Sequence, residues 1–255
     1  MQRHEAQGLA WYTFPGRWPP HALITRLGGV SRGPFASLNL GHTVGDDPAA
    51  VAENHRRLFA QFGLRAAMVV SPHQVHGARV VRVGRAEGGS IVRNCDALIT
   101  DEPGVVLMMR FADCLPILLY DREHQAIGLA HAGWRGTASG VIAATVEAMK
   151  AAFGSRSEAL QAGIGPGIGV ESYAVGAEVV EAVAATLPPG TPIARWRGGQ
   201  WYLDLPLAAQ RQLESLGVGQ ITASGLDTAA RTDEWYSHRA ERGRTGRFGV
   251  LLWLP

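Results

Sequence analysis

Three side chains in this 255-residue sequence have the types and placement to do chemistry together. The run Ala112-Asp113-Cys114-Leu115-Pro116 opens one strongly apolar segment, and His131-Ala132-Gly133-Trp134-Arg135-Gly136-Thr137 closes the next. Read as two strands joined by a turn at residues 121–124, these segments form a hairpin that brings Cys114 and His131 to the same end. A thiolate and an imidazole in reach of each other serve a nucleophilic dyad or a transition-metal site. The plainer alternative is a buried cysteine beside a packed histidine. A further run, Ser71-Pro72-His73-Gln74-Val75-His76-Gly77, lies between apolar segments at 68–70 and 80–83, so His76 also falls at a strand end, in a turn closed by Gly77. Two histidines and a cysteine that leave a fourth position open match the arrangement of catalytic zinc, whereas structural zinc takes four protein ligands. The three residues are dispersed, and spacing alone leaves dyad and metal site both open.

The elements that must position them are short. Asp46 and Asp47 before Pro48 start a helix whose apolar positions Val51, Leu58 and Phe62 lead to a stop at Gly63. Strand-like runs follow at 68–70, 80–83, 97–100, 105–109, 115–120 and 126–130. Too few residues separate them for helical crossovers, so the sheets are antiparallel or mixed. Thr137 is expected to cap a long helix reaching Phe153, with Gly154 as its stop. A strand at 160–164, helices at 177–187 and 204–216, and a closing strand at 248–254 complete the pattern. The expectation is a single α+β domain over residues 1–255, of mixed, largely antiparallel β-sheets covered by helices, with residues 1–20 as an N-terminal extension.

Several further runs, taken with those above, make the chain recognisable. Thr25-Arg26-Leu27-Gly28-Gly29-Val30-Ser31, Ser37-Leu38-Asn39-Leu40-Gly41, Val44-Gly45-Asp46-Asp47-Pro48, Gln74-Val75-His76-Gly77, Ala112-Asp113-Cys114 and the run from His131 to Thr137 resemble one bacterial family. It is the laccase-like or multicopper polyphenol oxidase family, read also as purine nucleoside phosphorylases with adenosine deaminase activity, and in some members as peptidoglycan editing factors. The resemblance extends from about residue 22 to 254. It implies a zinc ion held by His76, Cys114 and His131, which are then the catalytic centre, with copper as an alternative metal. It also implies a nucleoside and phosphate as substrates. The closing segment 231–247, with five arginines, resembles the family's last motif but departs from it twice. Asp227-Thr228 stands where many members have Cys-Thr, and His238 replaces a more usual tyrosine.

The remaining motifs supply the pocket. The His131–Thr137 run passes from a strand end through glycines into a helix, a junction whose amides favour an anion. Arg135 adds a fixed fork of donors there, and phosphate is the anion the resemblance implies. Arg26 and Asn39 are substrate-pocket candidates, with the alternative that Asn39 bonds its own backbone in a turn. Asp113 either orients a ligand or points away from the pocket, since adjacent strand residues face opposite sides. The glycine-rich stretch from Gly163 to Gly169 fails the dinucleotide pattern, because Ile168 stands in place of the third glycine. It reads as a tight loop. His73 reads as a polar turn residue and Cys95 as an apolar filler.

Composition narrows the classes. A formal charge of +2 gives no case for nucleic acid or an anionic membrane surface. Two cysteines make no disulfide framework. No apolar run approaches a membrane span, and no secretory signal is evident at the start, so the expected compartment is the cytoplasm. The expected function is that of a zinc-dependent purine nucleoside phosphorylase with adenosine deaminase activity. Two alternatives accompany it: a copper-dependent polyphenol oxidase, and a cysteine hydrolase editing peptidoglycan precursors. Nine histidines with no His-x-His pair, and a single cysteine beside two of them, do not provide for a multicopper cluster.

Overall fold

The computed structural model describes residues 1–255. In chain order the strands are β1 (Gln2–Ala6), β2 (Leu9–Thr13), β3 (His21–Ile24), β4 (Val69–Pro72), β5 (Val80–Arg82), β6 (Ile91–Val92), β7 (Ala97–Thr100), β8 (Val106–Phe111), β9 (Leu115–Asp121), β10 (Ala126–Ala132), β11 (Leu160–Ile164), β12 (Ala174–Val175), β13 (Ala194–Arg197), β14 (Gln200–Leu203), β15 (Gln220–Ala223) and β16 (Phe248–Trp253). The helices are α1 (Pro48–Gln61), α2 (Trp134–Ala138), α3 (Val141–Phe153), α4 (Ala177–Ala184) and α5 (Leu205–Ser215).

A seven-stranded sheet, ordered β1-β2-β3-β16-β8-β4-β6, lies against a six-stranded sheet ordered β15-β11-β9-β10-β7-β5. Most pairings are antiparallel; β4 joins β8 and β6 in parallel, as β15 joins β11 and β5 joins β7. The facing sides share one buried cluster, including Leu107, Met109 and Phe111 of β8, Leu118 of β9, Leu129 of β10 and Val250 of β16. The outer side of the six-stranded sheet packs Ile117, Leu119 and Ala130 on Val146 and Met149 of α3, Val183 of α4 and Leu213 of α5. The outer side of the larger sheet packs Met108 and Leu251 on Leu58 of α1. The order of layers is therefore helix, sheet, sheet, helices. β9 and β10 are covered on both faces and every residue in them is buried, which is why they read as continuous apolar runs instead of alternating ones.

The mixed α+β architecture expected from the sequence is present. Asp47 caps α1 by accepting from the Ala49 amide at 2.9 Å, with Pro48 at the first helical position. One local expectation is corrected. Thr137 does not cap the long helix: α2 begins after Gly133, and α3 begins only after Gly140, whose left-handed φ of 81° interrupts the run. Thr137 is instead buried inside α2, its carbonyl accepting from Gln212 Nε2 of α5 at 3.2 Å. Residues 1–20 contribute β1 and β2, a hairpin at the edge of the larger sheet.

Candidate metal centre

The β9–β10 register pairs Leu115 with Ala132 and Pro116 with His131, which sets Cys114 and His131 side by side at one sheet end. His76 arrives from the loop between β4 and β5, where its backbone takes a left-handed φ of 62°. One donor atom from each of His76, Cys114 and His131 lies within 4.8 Å of the others. No other group of three or more histidine, cysteine or acidic side chains in the chain converges in this way. His76 is exposed, Cys114 half-buried and His131 buried, so the cluster opens on its His76 side. Zinc bonds of roughly 2.0–2.3 Å would place tetrahedral donors roughly 3.3–3.8 Å apart. Small side-chain rotations close the observed set to that size, and the donor chemistry fits the metal.

The organiser of the cluster is Asp96, which the sequence reading did not single out. Its carboxylate is wholly buried and accepts four hydrogen bonds. Three come from the amides of Val75 (3.1 Å), His76 (2.9 Å) and Gly77 (2.8 Å), which fixes the strained loop that carries His76. The fourth comes from His131 Nδ1 at 2.9 Å, which leaves His131 Nε2 as the free ligand nitrogen. Asp96 is a lone acidic residue set directly between buried Cys95 and the fully buried strand β7, and that was the available signal. Cys95 is fully buried, in keeping with an apolar filler.

Gly133 is the cradle of the site. A Cβ there would stand 2.6 Å from Cys114 Sγ and 3.3 Å from His76 Cδ2, so only glycine lets the chain pass the converging donors. Electrostatics complete the picture. Burial disfavours charge on Cys114, but attraction to His131 and hydrogen bonding with both histidines prevail and draw the thiol down to about 6. Burial likewise opposes charge on His131, yet Cys114 and Asp96 hold it up at about 9. Both shifts act in the same direction, toward the thiolate form of Cys114 that ligates metal.

The walls come from distant segments. Asp113, at a left-handed φ of 86°, turns its carboxylate away from the donor cluster. It accepts from Thr228 Oγ1 at 2.7 Å and from the Arg239 amide at 2.7 Å, and its carbonyl accepts from the Ile168 amide at 2.8 Å. It thus ties the glycine-rich loop and the C-terminal segment to the residue next to Cys114. Asp227 binds Ser172 Oγ at 2.7 Å and pins the same loop. Arg239 stacks over the Tyr173 ring at 5.0 Å. Arg135 is exposed on α2 and stacks over Trp134 at 4.3 Å, with its donors free of any carboxylate. Arg26 is committed inside the protein: it donates to the carbonyls of Ala36 and Thr232, each at 2.8 Å, and pairs with Glu241 at 3.0 Å. Asn39 is fully buried and forms the turn the sequence allowed, its Oδ1 accepting from the amides of Gly41 (2.9 Å) and Arg247 (2.8 Å). His73 is exposed and pairs with Asn94 at 3.2 Å, away from the donor cluster.

Comparison with known proteins agrees with this architecture. The family model described as multi-copper polyphenol oxidoreductase laccase matches residues 20–255. A protein of Deinococcus radiodurans named purine nucleoside phosphorylase is 41% identical, over 98% of this chain and 95% of its own length. Purine nucleoside phosphorylase YlmD of Geobacillus stearothermophilus is 40% identical, over 92% of this chain and 91% of its own. The crystal structure of YlmD from Geobacillus stearothermophilus superposes with a TM-score of 0.94 at 37% identity, covering 99% of this chain and 98% of that one.

Proposed function

This chain belongs to the multi-copper polyphenol oxidoreductase laccase family, and on that premise we propose that it is a zinc-dependent purine nucleoside phosphorylase with adenosine deaminase activity. The observation that carries the reading is the single three-donor centre, open on one side and held by a buried carboxylate, in a chain whose relatives are named purine nucleoside phosphorylases. His76, Cys114 and His131 hold the metal. Zinc bound there supplies Lewis acidity toward water or a substrate heteroatom, which suits replacement of the amino group at carbon six of adenosine. Asp96 keeps His131 in the tautomer that presents Nε2 and fixes the height of His76. Arg135, exposed beside the centre, meets incoming phosphate, and Arg26 and Asn39 shape the pocket wall through the loops they brace.

The description of the family as multicopper enzymes sets a useful contrast. The histidines and cysteines gather at one place only, with three donors, whereas a multicopper cluster needs several times that number. Copper in the same three donors is the alternative metal, and metal analysis of the purified chain separates the two. The thiolate–imidazolium character of Cys114 and His131 also favours a second reading, a cysteine hydrolase. That enzyme would need neither His76 nor a metal.

The test is the reaction of the metal-loaded chain with adenosine. Inosine is expected without phosphate, and adenine with ribose 1-phosphate in its presence, both abolished by a zinc chelator. Activity that survives chelation but not thiol alkylation would overturn the metal reading in favour of the hydrolase. Oxygen uptake with a phenol, and no nucleoside turnover, would overturn it in favour of the oxidase.

A further inference from the structure

A buried tyrosine beside the metal centre keeps its hydroxyl free. Tyr173 directly precedes β12, is only 8% exposed, and packs in the cluster that holds Leu115, Ile168 and Leu203. Its backbone is fixed: the Tyr173 carbonyl accepts from the Leu203 amide at 3.0 Å, and the next residue begins the pairing of β12 with β14. No protein group hydrogen-bonds the Tyr173 hydroxyl, and that oxygen is not among the unpartnered polar atoms sealed inside the protein, so it opens to water.

Two arginines stand beside it. Arg239 holds its guanidinium 5.0 Å from the centre of the Tyr173 ring and donates from Nη1 to the Ala174 carbonyl. The Arg239 amide donates to the Asp113 carboxylate at 2.7 Å, which anchors its backbone at the residue next to Cys114. Arg135 lies two residues after Gly133, the glycine that passes against Cys114 Sγ. Neither guanidinium is paired with a carboxylate. The phenol is held above its ordinary range by burial first, then by the charge of Cys114, with Arg239 and Arg135 acting in the opposite sense to Cys114 and Asp113. All four charged groups are thus close enough to act on one hydroxyl, which stays protonated as a donor. Of the two negative groups, Asp113 is already committed to Thr228 and the Arg239 amide, and the charge of Cys114 is offset when a divalent metal is bound.

We propose that Tyr173 is the hydroxyl donor of an oxyanion subsite at the mouth of the metal centre, flanked by Arg135 and Arg239, and that this subsite takes inorganic phosphate. The proposal rests on the phosphorolysis reading above, and adds a phenol and a second guanidinium to the single arginine named there. A tetrahedral oxyanion needs donors from several directions, and a phenol O–H with two planar guanidinium forks supplies them. A neutral group of the nucleoside would use the hydroxyl but neither cation. Both arginines are exposed and reach the ion by turning their long stems. The buried ring of Tyr173 is the fixed point that sets where the ion sits.

Calorimetry of the zinc-loaded, full-length chain, with inorganic phosphate as the titrant and no nucleoside present, tests the subsite. Tyr173→Phe keeps the ring under Arg239 and removes only the hydroxyl. It is expected to weaken phosphate roughly tenfold or more, with zinc content and the thermal midpoint unchanged, because the hydroxyl bonds nothing in the protein. Arg239→Gln keeps the backbone bond to Asp113, and is expected to weaken phosphate and to flatten the salt dependence of its binding. No phosphate binding by the wild-type chain, or wild-type affinity in Tyr173→Phe, overturns the subsite. Should Tyr173→Phe fail to fold, Arg239→Gln decides, and wild-type affinity there overturns it. Adenosine monophosphate is the second titrant: if it binds through Tyr173 while inorganic phosphate does not bind, free phosphate is overturned as the ligand. Phosphate binding that depends on Tyr173 in a protein that performs no phosphorolysis would sink the functional reading and leave the subsite standing.

Discussion

Asp96→Asn isolates the contribution of one buried carboxylate to the metal centre. The substitution preserves volume but replaces one acceptor oxygen with an NH2 group. Oδ1 of Asp96 accepts from the His76 amide and His131 Nδ1, and Oδ2 from the amides of Val75 and Gly77. Whichever way the new amide turns, two of these four donors face another donor. If the NH2 faces the loop, the segment that carries His76 loses both bonds that bracket it. If it faces His131, that ring gives up its Nδ1 proton to accept the bond, places the proton on Nε2 and loses its free ligand nitrogen. Either outcome costs metal affinity, and changes at groups that orient ligands weaken binding by roughly 10–100-fold, or about 1.4–2.8 kcal/mol. Each buried donor left unpaired costs a further 1–3 kcal/mol of fold stability, roughly. Zinc affinity is measured by competition with a chromophoric chelator, and stability by urea unfolding of the metal-free protein. Asp96→Asn is expected to lose both, with the secondary structure intact. A zinc affinity within about threefold of wild type, where tenfold or more is expected, would refute the reasoning, because the carboxylate would then support the fold without orienting the donors.

Gly133→Ala should lose zinc while remaining folded, since its Cβ would stand 2.6 Å from Cys114 Sγ; zinc content after dialysis checks this. Arg135→Ala is expected to slow phosphorolysis of adenosine more than its deamination, because only phosphorolysis uses the anion. Equal losses in parallel assays of inosine and adenine would remove Arg135 from the phosphate path. His55→Gln should flatten the acid side of the stability profile. The folded-state value for His55 is held down to about 3 by burial, below the ordinary value of roughly 6.5 in the unfolded chain. Its contribution is therefore complete above the unfolded value. It is lost as pH falls toward the folded one, by roughly 1.4 kcal/mol per pH unit. Urea midpoints of both proteins between pH 6 and 4 should diverge with that slope removed in the variant, and superimposable profiles would exclude the effect.

Much of the scaffold around the centre was legible because its strands are buried on both faces. β7 and β11 fall where the apolar runs put them, and β9 and β10 each extend one or two residues beyond the expected ends. The edge hairpin of β1 and β2 escaped notice because one side of β1 is open to solvent and its residues Arg3, His4 and Glu5 carry no apolar signal. The break between α2 and α3 escaped for a different reason. Gly140 reads as a tolerated helix residue until its φ of 81° is seen.

By itself the sequence determined which residues have metal-binding chemistry and, through the register of one hairpin, that Cys114 and His131 share a sheet end, because strand pairing of adjacent segments is a local matter. It also determined the family, through motifs dispersed over most of the chain. What it did not determine was which polar residues face the centre and which brace it. Asn39 and Arg26 looked like pocket residues and are engaged by the protein's own acceptors and donors. Asp96, 35 residues from His131 in sequence, is the carboxylate that binds it. Only the tertiary structure decided this, because a side-chain hydrogen bond depends on direction and on burial. Both are settled when the two sheets close on each other, long after the local pattern has been read.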